Sequence, residues 1–372
     1  MNKLGIYIHI PFCVKKCNYC AFLSFKMDDK LKRKYIDAIK IEIKERADSG
    51  YLVDTIFFGG GTPSLLEPSE IGEILNEVTS KFNVFKDAEI TIEANPTTLN
   101  IEKLKGYRKI GINRLSMGVQ SLDENLLGIM GRTHSVADVY REYDLARKAG
   151  FDNINLDIIF AVPTGKFETL MDTLTKIIEL NPEHVSYYSL QLEEGTPFFE
   201  DFKDGKLNEI PDDMDREMYH KGSKLLESNN YSRYEISNFS KNGYECRHNL
   251  KYWNMDEYLG LGLGSSSYIG GFRLKNTDDI NKYLKNKYIS ERYKNTKHDD
   301  ISEAVFTGLR KTEGISMSEI LGTTEEFWEY YKNSKDEIYR FINEGYLSIN
   351  EDRLILTDKG IDISNKIMAC FV

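Results

Sequence analysis

Three cysteines stand within eight residues, Cys13-Val-Lys-Lys-Cys17-Asn-Tyr-Cys20, a C-x3-C-x2-C spacing that follows directly on the strand-like run Ile6-Tyr-Ile-His-Ile10. Soft thiolates of this kind select zinc, copper(I) or iron–sulfur clusters. A structural zinc closes a tetrahedron with a fourth Cys or His at a short second spacing, and no such residue follows Cys20. A cubane held by three thiolates instead leaves one iron open to the amino and carboxylate groups of a methionine moiety. Two readings therefore stand: a three-cysteine [4Fe–4S] cluster, or a zinc site completed by the distant Cys246 or a histidine. Five cysteines is an odd number, and the crowding of three of them suits cluster binding better than a disulfide framework. His9, on the strand before the cysteines, reads as a hydrogen-bonding support.

Further along, Gly59-Gly60-Gly61-Thr62-Pro63 follows a second apolar run. Glycines allow close backbone approach, and their exposed N–H groups meet a carboxylate. Glu93 and Asp157 fall at the C-terminal ends of expected strands, where parallel α/β folds bind ligands. Arg132 has the planar fork that pairs with a carboxylate. Taken singly, Arg132 and Asp157 read more often as surface ion-pair members or helix caps, and only their place in the series of motifs reverses that.

The elements that must position these residues alternate. Short β-branched or aromatic runs predict strands over Gly5–Ile10, Thr55–Phe58, Glu89–Glu93, Arg114–Met117, Asn153–Ile159 and His184–Leu190. Helical periodicity fills the gaps over Asp28–Arg46, Pro68–Phe82, Ile101–Lys109, Ser135–Lys148 and Lys166–Leu180, with another helix over Asp212–Asn229. This order is that of an α/β fold with parallel strands and right-handed crossovers, as an open sheet or a barrel. Residues 1–230 form that unit. Residues 231–285, rich in Gly and aromatics, read as irregular loop with short strands packing on it. After a polar stretch, 286–372 reads as a small winged-helix-like α+β domain, helices followed by a two-stranded hairpin.

Composition excludes several classes. The 372 residues are 41% hydrophobic and 29% charged, globular values in a chain long enough for one large domain plus a smaller one. A net charge of −10 and a C-terminal unit that is not basic argue against a nucleic-acid binder. No run approaches the ~20 apolar residues of a spanning helix, and no secretory signal opens the chain. The expected setting is cytoplasmic, with at most peripheral membrane contact.

C-x3-C-x2-C after the first strand of a βα series resembles the radical S-adenosylmethionine (SAM) superfamily, and the glycine turn after the second strand agrees with it. Closer similarity, over nearly the whole chain, is to the oxygen-independent coproporphyrinogen III oxidase-like group. It is carried by Tyr7-Ile-His-Ile-Pro-Phe-Cys13, Gly59-Gly-Gly-Thr-Pro63, Ile92-Glu-Ala-Asn-Pro96, Asn113-Arg-Leu-Ser-Met-Gly-Val-Gln120, Gly131-Arg132 and Asn155-Leu-Asp157. The resemblance implies a partial parallel (β/α)6 radical SAM barrel with [4Fe–4S] on Cys13, Cys17 and Cys20. It further implies SAM lined by Tyr7, Tyr19, Gly60, Gly61, Thr62, Glu93, Gln120, Arg132 and Asp157.

Two features depart from the oxidase pattern: Phe22 stands where the oxidases carry a further Cys, and few residues precede Cys13. Cys246-Arg-His248-Asn249-Leu-Lys-Tyr252-Trp253 instead resembles the H-N-x-x-Y-W signature of the HemW group of haem chaperones. That likeness implies haem as cargo and acceptor haemoproteins, such as respiratory proteins, as partners. His248 would then ligate haem iron while Tyr252 and Trp253, with Asn249 beside them, cover the macrocycle. Cys246 is the alternative ligand. Against this stands a plainer reading, in which His248 and Asn249 are hydrogen-bonded loop residues and Trp253 fills a core gap. Oxidative decarboxylation of a porphyrinogen propionate by a 5′-deoxyadenosyl radical is the alternative activity.

Overall fold

The computed structural model describes residues 2–372. Strands β1 (Asn2–Ile10), β4 (Tyr51–Gly60), β5 (Asn83–Ala94), β6 (Arg114–Gln120), β7 (Ile154–Phe160) and β8 (His184–Ser189) lie side by side, each parallel to the next. Between β1 and β4 the chain makes a small parallel pair, β2 (Phe12–Cys13) with β3 (Phe25–Lys26), and helix α1 (Asp29–Glu45). The other crossovers are α2 (Pro68–Lys81), α3 (Ile101–Lys109), a short α4 (Glu124–Ile129) with α5 (Val136–Lys148), and α6 (Phe167–Leu180). After β8 come α7 (Pro197–Lys203) and α8 (Asp212–Glu227).

Strand alternation sorts the side chains into two faces. Leu4, Ile6, Ile8 and Ile10 of β1, with Ile56, Phe58, Ile92, Leu115, Met117, Leu156 and Val185, are buried on the face covered by helices. α1 meets them with Ile36, Ile39 and Ile43, one stripe at helical spacing, and starts where Asp28 accepts the Leu31 N–H. The opposite face is polar: Tyr7, His9, Glu93, Arg114, Asn155, Asp157 and His184 alternate with those apolar residues. A polar inner wall of this kind needs internal partners or a ligand.

The sheet is wider than the six strands legible in the sequence. β9 (Ser232–Glu235) and β10 (Asn238–Ser240) extend it antiparallel beyond β8. Helix α9 (Arg247–Trp253) follows, and β11 (Tyr258–Leu261) then returns to pair parallel with the other side of β1. β12 (Ser266–Ile269), β13 (Phe272–Asn276), a single turn α10 (Ile280–Tyr283) and β14 (Ile289–Lys294) complete that edge, giving twelve strands in all. The Gly- and aromatic-rich segment thus holds short strands between loops, as expected, but those strands extend the main sheet at both edges. Its strands are three to five residues long, too short for the alternation to repeat. Every residue of β14 is exposed, so it carries no burial pattern to read, and the polar residues 289–294 belong to this edge.

Beyond it, α11 (Lys297–Gly308) leads into a second unit. There β15 (Ile315–Ser316), β16 (Leu347–Asn350) and β17 (Arg353–Leu356) form a three-stranded antiparallel sheet, and the helices over 317–321, 324–330 and 335–343 precede the β16–β17 hairpin.

Candidate functional site

The cysteine loop leaves β1 and is tied at its base by Phe25 N–H to Pro11 O at 2.7 Å and Met27 N–H to Cys13 O at 3.0 Å. Its middle is pinned by Asn18: the backbone N–H donates to Met130 O at 3.0 Å, the side-chain amide to Ile129 O at 2.8 Å, and the carbonyl accepts Phe198 N–H at 3.0 Å. The short helices α4 and α7, which the sequence reading leaves out, are therefore the supports of this loop. Gly131, at φ +72°, is obligatory there, since a Cβ would lie 2.9 Å from the Asn18 amide oxygen.

Each sulfur has a neighbour from the barrel or the loop. Thr62 Oγ1 approaches Cys13 Sγ at 3.7 Å and Arg132 Nη1 donates to Cys17 Sγ at 3.4 Å. Burial raises the Cys20 thiol, the Phe22 backbone N–H opposes that, and the Cys17 and Cys13 sulfurs push it further up. The remaining cysteines do not join the set. Cys246 is fully buried at the other end of the strands, and Cys370 belongs to the C-terminal unit. A zinc site completed by Cys246 is thereby ruled out, and the donor set is three thiolates on one loop. Among the described residues no three ligating side chains already stand at metal-coordinating separations.

Behind the loop the strand ends build a polar pocket. Gly60, at φ +113°, donates its N–H to Glu93 Oε2 at 3.0 Å, and a Cβ there would strike the His9 ring at 2.5 Å. The glycine turn thus seats directly on β1. Asn95 links two site residues: its amide donates to Thr62 Oγ1 at 2.9 Å and its oxygen accepts Arg132 Nη2 at 2.6 Å. Arg132 also donates to Gly118 O at 2.7 Å, beside Gln120, whose φ is +69°. Register places Gly118 opposite Asp157 and Glu93 opposite Ser116, while Asn155 donates to Asp157 Oδ1 at 2.7 Å. Tyr7 and Tyr19 close the set: the Tyr7 hydroxyl meets His9 Nδ1 at 3.1 Å, His9 Nε2 meets Leu23 O at 2.9 Å, and Tyr19 bonds with Arg132. Of the nine residues expected around SAM, Gly60, Gly61, Thr62, Gln120, Arg132 and Tyr19 gather at the C-terminal strand ends with Glu93 and Asp157 on the inner wall, whereas Tyr7 lies deeper, its ring 6.5 Å from that of His248. Asn95 was missed as a site residue although it lies in a quoted motif, because amide bridges leave no period or spacing to detect.

Glu93 and Asp157 are only half-buried by surface, because they face the hollow of the barrel, yet protein surrounds both. Burial, then the charge of Asp157, pushes Glu93 up to about 8 against the lowering effect of the Gly60 N–H. Asp157 is likewise raised, again by burial first. Two carboxyls that resist ionising together thus share the wall, with the Arg114 charge favouring ionisation of both and that of Arg132 favouring Asp157.

The histidine signature lies elsewhere. α9 plugs the N-terminal ends of the strands, the floor of the barrel. Glu89 caps it, accepting Arg247 N–H and His248 N–H at 3.1 Å each. His248 is buried with both ring nitrogens engaged, Nδ1 with Thr55 Oγ1 at 2.8 Å and Nε2 with Tyr252 OH at 2.9 Å. Burial, then the Lys251 and Arg114 charges, pushes it down to about 3. Lys251 pairs with Asp54 at 2.8 Å in the same floor. Burial pushes the Cys246 thiol up to about 12, so it is not a ready thiolate. Asn249 is half-buried on the same helix. Trp253, beyond Tyr252, sits against Arg310 with the guanidinium 4.5 Å from its ring centre. In this arrangement His248 presents no free nitrogen to an iron, and Trp253 lines a surface cleft.

These shifts set a pH dependence with opposite signs. Glu93, raised in the fold, contributes stability below about pH 4.5 that is lost as pH rises toward about 8. His248, depressed in the fold, contributes stability above about pH 6.5 that is lost as pH falls toward about 3. Glu93→Gln should flatten the alkaline loss and leave the acid one; urea midpoints across that range measure it, and an unchanged alkaline slope would refute the assignment.

An open parallel barrel whose first βα loop carries three thiolates, and whose second carries glycines against the same pocket, is the arrangement of a radical SAM protein. Residues 7–177 match the radical SAM superfamily, and residues 295–363 match the HemN C-terminal domain. Along its full length the chain belongs to the HemW family. It is 34% identical to the haem chaperone HemW of Bacillus subtilis over 98% of each chain. To HemW of Lactococcus lactis it is 35% identical over 98% of this chain and 96% of that one. To HemW of Escherichia coli it is 32% identical over 100% and 99%. Among solved structures, coproporphyrinogen III oxidase (HemN) of Escherichia coli superposes with a TM-score of 0.87 at 24% identity, covering 100% of this chain and 90% of that one, which shows the shared fold. Membership of the superfamily implies a [4Fe–4S] cluster and SAM, and the three-thiolate loop and the polar pocket behind it fit both. No helix among the described residues is long and apolar enough to cross a membrane.

Proposed function

We propose that this protein is a cytoplasmic haem chaperone that binds haem and hands it to acceptor haemoproteins such as respiratory proteins. Its SAM-liganded cluster serves a gating or redox role. The observation that carries the reading is full-length similarity to haem chaperones of the HemW family. Phe22 agrees with it: the position where the oxidases carry a further Cys holds a side chain 68% exposed beside the cluster loop.

In this reading Cys13, Cys17 and Cys20 hold the cluster, whose open iron takes the amino and carboxylate groups of SAM. Arg132 bonds the SAM carboxylate, the Gly60–Gly61 turn lies along the methionine, and Asp157 and Glu93 accept ribose or amino hydrogens while Tyr7, Tyr19, Thr62 and Gln120 complete the wall. Arg132→Ala removes a buried cationic partner and should weaken SAM by about 10–100-fold; equilibrium dialysis with labelled SAM measures it, and unchanged affinity would remove Arg132 from the site.

The deciding experiment is anaerobic reconstitution with iron and sulfide, titration with haem, and parallel incubation with SAM, a reductant and coproporphyrinogen III. Stoichiometric haem binding without decarboxylated porphyrin is the expected result. Protoporphyrinogen IX formed together with 5′-deoxyadenosine would make the chain an oxidase, the second reading that the HemN fold favours.

A further inference from the structure

Resting on the placement of SAM against Asp157 proposed above, we propose that His184 and Tyr234 are positioning residues that tie the SAM pocket to α9, so that SAM bound at the open end of the barrel steadies the signature helix at its floor. Four hydrogen bonds carry the link. Asn155 donates its amide to Asp157 Oδ1 at 2.7 Å, and its oxygen meets His184 Nδ1 at 2.6 Å. His184 Nε2 meets the Tyr234 hydroxyl at 2.9 Å, and that hydroxyl accepts the backbone N–H of Cys246, the N-cap of α9, at 3.2 Å. The chain of bonds thus runs from β7 across β8 and β9 to α9. Asn155, His184 and Cys246 are buried, where each polar group depends on its neighbour for a partner.

The direction of these bonds is fixed from end to end. A backbone N–H only donates, so the Tyr234 oxygen accepts from Cys246 and its own proton turns to His184 Nε2. Burial, then the Arg114 charge, holds His184 well below its usual range, so the ring is neutral and carries its one proton on Nδ1. That proton goes to the Asn155 oxygen, which also accepts the Ser186 hydroxyl at 3.1 Å. The Asn155 amide N–H groups are left for Asp157 Oδ1 and for Ser116 Oγ at 2.8 Å. Asn155 is thereby kept from turning its oxygen toward Asp157, and the carboxyl is held in one orientation. Aligned bonds of this kind polarise one another in a low dielectric. Tyr252 and Trp253 ride on the same helix, so the tie reaches the H-N-x-x-Y-W residues. Coupling is reciprocal, and whatever holds α9 also tightens SAM.

Hydrogen exchange of the full-length, cluster-reconstituted protein, with and without SAM, tests the link. In the parent protein SAM should slow exchange in the turn at residues 59–62 and, by about fivefold, in the amides of residues 246–253. Tyr234→Phe removes one hydroxyl and keeps the ring, so the cluster absorption should stay as in the parent. SAM should bind this variant about three- to tenfold more weakly. At saturating SAM the turn should still be protected and α9 not. A hydroxyl with a merely structural role would change the exchange of α9 equally with and without SAM. Protection of α9 in saturated Tyr234→Phe as in the parent, or a parent protein in which SAM protects the turn alone, would overturn the link. Asp157→Asn with the SAM affinity of the parent would instead overturn the placement of SAM against Asp157, and the link with it.

Discussion

Cys17→Ala abolishes the visible absorption of the reconstituted protein. Its sulfur is the middle donor of three, and with Cys246 and Cys370 in other parts of the fold no thiol is near enough to replace it. Two thiolates do not retain a cubane whose fourth iron is already without a protein ligand. Iron content and the cluster's absorption band should both fall to the level of an unreconstituted control. Cys246→Ala should leave both intact, since that thiol faces Glu89 at 3.7 Å in the floor of the barrel. A Cys17→Ala variant that keeps its full cluster would defeat the assignment of the loop.

His248→Ala should cost on the order of 3 kcal/mol of stability and leave the position of the haem Soret band where it was. The imidazole is 1% exposed, bridges Thr55 and Tyr252, and stacks on Phe57 with ring centres 5.2 Å apart. Truncation opens a cavity and strands two hydroxyl groups, each effect amounting to about 1–3 kcal/mol. A lowered urea midpoint with an unmoved Soret maximum is the expected pair. An unchanged midpoint with a displaced Soret maximum would return His248 to the iron. The contacts of the signature histidine join β4 to α9 beneath the pocket that holds Tyr7.

Much of this was legible in the residues. The six parallel strands and five crossover helices alternate with long, clean periods, and each begins and ends within a few residues of its expected place, apart from the N-terminal extensions of β4 and β5. The cysteine loop was legible because it follows a strand end, and most of the residues expected around SAM lie in the last residues of a strand or in the loop after it, ends that a parallel fold brings together. What escaped has a common cause. α4 and α7 are six and seven residues long, and β9 to β13 shorter still, so no period repeats within them. The signature H-N-x-x-Y-W was visible as a motif, but a motif does not say at which end of a barrel it will lie. His248 and Tyr252 fell to the floor because Glu89, a β5 residue with no distinctive spacing, caps the helix that carries them.

The position of β1 bears on how the protein is made. β1 leaves the ribosome before the other strands of this sheet, yet it is an inner strand of the finished sheet, flanked by β4 on one side and β11 on the other. β4 arrives early, but synthesis from Gly60 to Tyr258 takes on the order of 10–40 s. Throughout that interval one side of the cluster-bearing strand presents bare N–H and C=O groups, an edge open to pairing with any other nascent chain. Polysomes translating this message at high density should therefore be its most aggregation-prone state, and shortening the chain before β11 should fix that vulnerability permanently.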